Sequence, residues 1–245
     1  MCRWFKRVKT SLLVGFQPTD GKLPFPLLET QGTIPDNWPA VLPEDIWEYG
    51  CGTCGLVSIA NIHRLFGEPT TEDDVIAVAR ELDLFMEWLS VWVENIEILS
   101  KPNAYEETIR AIGSSSVADR KMILEYLNFR VEEPILCEDV SLNEIRQRIA
   151  DGSGALINLN VNIFDPTQDD WHVVTLVKLD IVNDRPVGFW IQDTGEWGDQ
   201  ASIFISTKEY QKHWQASGES QPSFEFVTPE FLPPLPLVLK PNSTD

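Results

Sequence analysis

The spacing of apolar residues divides the chain into a helical first half and a second half rich in strands. In residues 53–66 apolar side chains recur three and four positions apart, which is the period of one helix face. Gly67 follows as a stop signal. The pattern therefore predicts a helix from Thr53 to about Phe66, with these apolar positions on its buried face: Leu56, Ile59, Ala60, Ile62 and Phe66.

The stretch "TTEDDVIAVARELDLFMEWLSVWV" predicts a second helix. It opens with threonine and acidic residues, which favour a helix N-terminus. Its aromatic and aliphatic residues then fall at positions i, i+3, i+4 and i+7. That stripe predicts core packing, or alternatively one wall of a substrate site: Phe85, Trp88, Leu89 and Trp92.

After these helices the period changes to that of strands. "VADRKMILEYLNFRVEE" predicts a helix running into a strand, and "SLNEIRQRIADGSG" a capped helix that ends at Gly152. "ALINLNVNIF", "WHVVTLVKLDIV", "VGFWIQDTG" and "ASIFIS" alternate like strands, and "TKEYQKHW" is a short helix. Helices followed by strands predict an α+β fold, with N-terminal helices packed on a C-terminal antiparallel sheet.

Proline and glycine mark the two ends of the chain. Residues 15–50 read as extended or irregular chain, and "TPEFLPPLPLVLKPNSTD" is proline-rich and extended. We therefore predict an extended N-terminal segment over 1–40, one folded domain over 41–220 and a proline-rich tail over 221–245.

Composition and charge restrict the possible partners. The 245 residues are 43% hydrophobic, which is ample for a core. The net charge of −19 argues against nucleic acid and anionic membrane as partners. The most apolar window, residues 82–99, contains four acidic residues and so predicts no membrane span. The basic residues near the start predict a solvated tail or a contact for a membrane or an acidic partner: Arg3, Lys6, Arg7 and Lys9.

Cysteine content predicts a reducing compartment. Four cysteines are too few for a disulfide scaffold, and the apolar run "SLLVGF" is too short for a secretory signal. The expected location is therefore the cytoplasm.

Two of these cysteines, Cys51 and Cys54, allow three interpretations. A redox pair or a metal site is one, although no second C-x-x-C or H-x-H cluster accompanies them. Two buried thiols that only pack are another. The third is a nucleophile at Cys54, because a helix N-terminus lowers the pKa of a thiol placed there.

A nucleophilic cysteine requires a base and a group that orients the base. His63 lies nine residues beyond Cys54, about 13 Å along the same helix, and cannot serve. His213 has no distinctive setting. His172 opens one predicted strand and Asp193 ends the next, so adjacent antiparallel strands would bring them together.

The segment "CGLVSIANIHRLFG" resembles the nucleophile motif of papain-like cysteine peptidases, in the branch that removes double-glycine leaders from bacteriocins and includes stand-alone relatives. The resemblance extends over about residues 45–215 and continues in "WHVVTLVKLD" and "IQDTGEWG". It implies a papain-like fold, with Cys54 as nucleophile, His172 as base and Asp193 as the third member of the triad. It also implies a glutamine for the oxyanion hole at the position of Glu48, and an ionised carboxylate there would only accept hydrogen bonds.

The expected function is hydrolysis of a peptide or isopeptide bond through a thioester on Cys54, without a cofactor or metal. The substrate would be a peptide or protein. Two alternatives stay open, namely a weak or inactive pseudoenzyme that binds a partner in the same groove, which Glu48 favours, and a papain-like acyltransferase. Trp171, Trp190 and Trp197 flank the expected His and Asp positions, where they would either pack or line the groove.

Overall fold

A computed structural model of the chain describes residues 9–15, 53–85, 105, 109, 115–160, 171–192, 202–214 and 222–230. The α-helices are α1 (Cys54–Leu65), α2 (Glu72–Glu81), α3 (Val117–Tyr126) and α4 (Leu142–Ala150). A 3-10 turn lies at Cys137–Asp139. A short helix at Thr207–Glu209 continues as a π-helical turn at Tyr210–Trp214. The strands are β1 (Lys9–Leu13), β2 (Phe129–Val131), β3 (Ile135–Leu136), β4 (Gly154–Asn160), β5 (Trp171–Val182), β6 (Arg185–Gln192), β7 (Ser202–Ser206) and β8 (Ser223–Pro229).

The eight strands of the described residues form one antiparallel sheet, in which six follow the order β2-β8-β4-β5-β6-β7, while β1 pairs with β5 and β3 pairs with β8. β5 is its longest strand and pairs with three others. Along one edge it pairs first with β4, at residues 171–175, and then with β1, at residues 178–182. β6 covers the other edge. The predicted α+β class with an antiparallel sheet is thus confirmed.

Helix α1 is enclosed by other elements of the described structure. Nine of its twelve residues are buried, on every side of the helix, as expected for a helix enclosed by other elements. It contacts β5 and β4 of the sheet and, away from the sheet, α2 and α3. Because the whole helix is enclosed, its first residue, Cys54, is held in a defined position against the sheet.

The opposite face of the sheet has its own core. Glu225 of β8 is bonded to Arg120 of α3, so its neighbour Phe226 points to the other side, where the Arg148 guanidinium of α4 lies 4.2 Å from the Phe226 ring centre. Four aromatic rings pack edge-on there and complete a three-layer arrangement of helices, sheet and helix: Phe189, Tyr210, Trp214 and Phe224.

The predicted helix starts agree with the structure. Thr71 caps α2 and Ser116 caps α3, each in a capping box with an aspartate at the third helical position, and Ser141 caps α4. In each case the side-chain hydroxyl accepts a backbone N–H that the helix itself leaves without a partner.

The predicted length of the second helix is wrong. α2 ends at Glu81, and Asp83 and Phe85 have positive φ angles of 52° and 64°, which no α-helix continues through. Phe85 is buried in the core as predicted, but from a turn and not from a helical stripe. The other members of the stripe, at positions 88, 89 and 92, lie outside the described residues.

Two strands of the sheet lie outside residues 41–220, the limits predicted for the folded domain. β1 comes from the N-terminal segment and pairs with β5, and β8 comes from the predicted tail and pairs with β2, β3 and β4. Among the helices of the described ranges, none is long and apolar enough to cross a membrane.

Gly154 offers a test of the packing of α1 on the sheet. A Cβ atom at this position would lie 2.8 Å from Ile62 Cδ1 and 3.0 Å from Val14 Cγ1. We expect Gly154→Ala to lower the free energy of unfolding by about 1–3 kcal/mol, because a well-packed core does not absorb an extra methyl group. Urea denaturation measures the change. Glu125→Ala, on the exposed surface of α3, is the control and should change stability by less than about 0.5 kcal/mol; equal effects of the two substitutions would contradict this packing.

Candidate functional site

Cys54 is the first residue of α1, and its side chain is half-buried. The preceding residue, Thr53, does not cap the helix with its side chain, and the first turn contains no acidic residue. The positive end of the helix dipole therefore acts on the thiol without a neighbouring carboxylate in the same turn. The Thr53 hydroxyl instead donates a hydrogen bond to the carboxylate of Glu72, a buried residue at the start of α2.

His172 reaches Cys54 from the sheet. It is the second residue of β5, pairs with Leu159 of β4, and is only 6% exposed. The Cys54 thiol and the His172 imidazole are joined by a hydrogen bond. Two residues 118 positions apart in sequence are thus brought into direct contact at the point where a helix and a strand both begin.

The surroundings of Cys54 lower its pKa below the ordinary thiol value. Burial alone raises the pKa of the thiol, but four other influences together outweigh it. The largest is the hydrogen bond with His172, followed by the positive charge that His172 can hold. The backbone N–H of Val173 donates to the sulfur, and the positive charge of Arg120 adds to the effect. These surroundings favour the thiolate of Cys54, which is the reactive form of a cysteine nucleophile.

Two further hydrogen bonds fix α1 against β5. The Ser58 hydroxyl, one turn after Cys54, donates to the Val173 carbonyl at 2.9 Å, and the Thr175 hydroxyl donates to the Ser58 carbonyl at 3.3 Å. All three residues are buried. Because Val173 adjoins His172 in sequence, these bonds set the distance between the thiol and the imidazole.

The other described cysteine has a contrasting environment. Cys137 lies fully buried in the 3-10 turn, and burial raises the pKa of its thiol. Its carbonyl accepts a hydrogen bond from the Tyr210 hydroxyl at 2.9 Å, so the residue helps to hold the aromatic cluster of the opposite face. The geometry supports structural packing for Cys137 and reactivity for Cys54.

The two other histidines lie elsewhere in the fold. His63 belongs to the last turn of α1, where Nδ1 is 2.5 Å from the Thr70 hydroxyl and the ring packs edge-on against Phe129. Burial lowers the pKa of His63. The prediction that His63 does not serve Cys54 agrees with this position. The backbone of His213 lies in the π-helical turn.

Three residues singled out from the sequence, Glu48, Cys51 and Asp193, lie outside the described residues. The predicted roles of Glu48 and Asp193 therefore stay predictions. Asp193 directly follows Gln192, the last described residue of β6, which pairs with Thr175 three residues after His172.

The tryptophans near the site differ in exposure. Trp190 packs against Phe204, and its indole N–H donates to Asp180 at 3.2 Å. Trp171, next to His172, is 55% exposed. The packing role predicted for these residues fits Trp190, whereas the ring of Trp171 is available at the surface beside the imidazole. Trp197 lies beyond the described part.

The charged residues around the site have no recognisable signal in the sequence. Arg120 and Glu225 are 105 positions apart, and each stands in a segment that reads as ordinary amphipathic structure. A buried arginine has no sequence signature, because the pattern of α3 predicts only that it is polar. Within the described ranges no three His, Cys, Asp or Glu side chains come together as a metal site would require.

No protein-family model matches the chain, and a search of curated proteins also found no match.

The thiol–imidazole contact predicts an unusual pH dependence for alkylation of Cys54. The thiolate is the reacting form, so a lowered pKa keeps iodoacetamide labelling fast below the ordinary value of about 8.5. Labelling should fall only as the pH drops through the lowered pKa. In His172→Ala the effect of burial on the thiol is no longer offset by the imidazole, so the pKa of Cys54 rises. Labelling at pH 6 should therefore slow by about tenfold or more. Mass spectrometry of the labelled peptide measures both rates.

Two observations control this experiment. Cys54→Ser assigns the fast label to residue 54, and Cys137 in the same samples should stay unlabelled until the protein unfolds. Equal labelling of wild type and His172→Ala at every pH would show that the imidazole does not activate the thiol.

Proposed function

We propose that this chain is a thiol-dependent peptidase or amidase of the papain-like kind, in which Cys54 is the nucleophile, His172 the general base and acid, and Asp193 the residue that orients His172. The observation that supports this most directly is the hydrogen bond between Cys54 and His172 at the start of α1. A nucleophile in contact with a base is the minimum arrangement for acyl transfer through a covalent intermediate.

In the proposed reaction the Cys54 thiolate attacks the carbonyl carbon of a peptide or isopeptide bond. The carbonyl oxygen takes up negative charge, and the Cys54 backbone N–H can donate to it. The C–N bond then breaks, and the imidazolium of His172 gives its proton to the leaving amine. A thioester remains on Cys54. Water, deprotonated by neutral His172, attacks it, and the acid product leaves as the thiolate and imidazolium form again.

The fold is compatible with the papain-like assignment. A buried helix that begins at the nucleophile packs on an antiparallel sheet, and the base opens the strand in contact with that helix. A shared fold does not decide between peptide hydrolysis and acyl transfer, because one fold can support several reactions. The proposed reaction therefore depends on the contact between Cys54 and His172.

A second candidate is a papain-like pseudoenzyme that binds a peptide or protein partner. Glu48 favours it, because an ionised carboxylate at the expected oxyanion-hole position would repel a developing oxyanion. The lowered pKa of Cys54 favours the enzyme, since a binding groove does not require a thiolate.

Incubation with a proteome-derived peptide library tests the proposal. We expect wild-type protein to generate new peptide termini and Cys54→Ala to generate none, because the thioester cannot form. His172→Ala should reduce cleavage by about 10³-fold or more, as removal of a catalytic base does in comparable sites.

The same assay separates the alternatives. An added amine that captures most of the acyl group would identify an acyltransferase. A pseudoenzyme would be identified if the protein neither cleaves peptides nor transfers the acyl group to the amine, although Cys54 labels fast and peptides stay bound. That result would contradict the proposal of a hydrolase.

The oxyanion-hole position gives a prediction of its own. Glu48→Gln supplies a side-chain N–H that can donate to the oxyanion, so we expect kcat to rise, by up to about 10²–10³-fold if no other donor already serves. Measurement of kcat on a substrate from the library checks it, with Glu68→Gln on the exposed surface as the control. A fall in kcat would mean that the carboxyl group itself takes part.

A further inference from the structure

A pair of opposite charges is buried beside the start of α1. The side chains of Arg120 in α3 and Glu225 in β8 are 2% and 1% exposed. Two N–H groups of Arg120, on Nε and Nη2, donate to the two carboxylate oxygens of Glu225, and the Nε contact is 3.0 Å. The third nitrogen, Nη1, donates to the Ser115 carbonyl at 2.5 Å. The guanidinium therefore joins α3, the sheet and the segment before α3.

Arg120 also touches the helix that begins with the nucleophile. A Cβ atom built on Gly55 would lie 3.2 Å from Arg120 Cδ and 2.0 Å from Ser115 Oγ. The three atoms nearest to that position belong to Ser115 and Arg120, and none belongs to Glu225. The Arg120 stem therefore lies directly against the backbone next to Cys54, and a side chain at residue 55 would require the Ser115 hydroxyl to move.

Stability alone is a poor explanation for this pair. Removing two charges from water costs several kcal/mol per ion, and apolar residues of similar size often replace a buried ion pair without loss of stability. Arg120 lies against Gly55, the residue after the nucleophile, and its charge favours the Cys54 thiolate. An electrostatic role at the site accounts for both its burial and its position.

We propose that Arg120 is a positioning residue of the active site, which holds the start of α1 through Gly55 and Ser115 and whose positive charge, moderated by Glu225, favours the thiolate of Cys54. This inference rests on the proposed function, because it concerns the same thiol. Arg120 does not touch the substrate in this role. It acts through residue 54.

The charged groups near Cys54 determine the sign of each expected shift. His172 of β5 and Arg120 of α3 favour the thiolate. The carboxylates nearest in the hydrogen-bond network are Glu72 of α2, bonded to Thr53, and Glu225 of β8, bonded to Arg120. Neutralising Glu225 leaves the Arg120 charge less compensated, and neutralising both partners removes that charge altogether.

Two variants of the full chain should therefore shift the pH midpoint of Cys54 alkylation in opposite directions. Glu225→Gln should move the midpoint to lower pH, and the double variant Arg120→Gln/Glu225→Gln should move it to higher pH. Each shift should be about half to one pH unit, the size that a nearby charge produces inside a protein. A merely structural role would move both midpoints the same way or neither.

Two further variants complete the test. Arg120→Lys keeps the charge but loses the planar fork, so the midpoint should stay close to that of wild type while the melting temperature falls. Arg148→Gln/Glu132→Gln removes a partly exposed ion pair elsewhere in the fold and should not move the midpoint. Circular dichroism verifies folding; if the double variant does not fold, the direction of the Glu225→Gln shift decides.

The outcomes also distinguish this inference from the proposed function. If wild-type labelling is slow at low pH and independent of His172, the thiol is not activated and the proposed function fails. If wild type and His172→Ala differ as expected but the Glu225→Gln and Arg120→Gln/Glu225→Gln midpoints do not separate, only the role of Arg120 is overturned.

Discussion

The contact between α1 and β5 is the constraint on which the site depends. A helix buried on every side cannot slide or rotate without opening the core. The Ser58 hydroxyl of the helix donates to the backbone of β5, and the Thr175 hydroxyl of β5 donates to the backbone of the helix. The thiol at the start of the helix and the imidazole at the start of the strand are therefore fixed relative to each other by packing that lies mostly behind them. The packing of the core, more than the two side chains themselves, determines how precisely the thiol and the imidazole are placed.

The chemistry of Cys54 results from a competition between burial and polar contacts. An apolar environment alone would keep the thiol protonated, as it does at Cys137. At Cys54 the imidazole and the Val173 N–H take the place of the water that burial removes, and the charge of Arg120, whose nitrogens donate to Glu225 and Ser115, adds to their effect. Donors that already point at the sulfur need little rearrangement when charge moves during a reaction. The same low-dielectric surroundings that would suppress ionisation strengthen each of these interactions.

The sequence predicted the local features well and the distant ones poorly. The helix of residues 54–65, the caps at Thr71 and Ser141 and the strand that begins at residue 171 follow from short-range patterns. The choice of His172 follows from the positions of the other two histidines in helical segments, and the choice of Cys54 over Cys51 follows from the resemblance to papain-like peptidases. The early end of α2 does not follow from the sequence. The positive φ angles at Asp83 and Phe85 depend on tertiary contacts, and no glycine at these positions indicates them. The Arg120–Glu225 pair was equally hidden, because nothing local tells a buried arginine from an exposed one.

The strand β1 has a consequence for how the molecule forms. Ser11 of β1 donates to Asp180 of β5 at 2.6 Å, although 169 positions separate them in the chain. β1 is therefore synthesised well before its partner strand β5, and β8, which flanks β4, is made later still. Contacts of such high sequence separation slow folding, because a long loop must close before any pairing stabilises it. The thiol and its imidazole should accordingly meet late in folding, so that a nascent or partly folded chain holds an ordinary cysteine and reactivity arises only with the finished sheet.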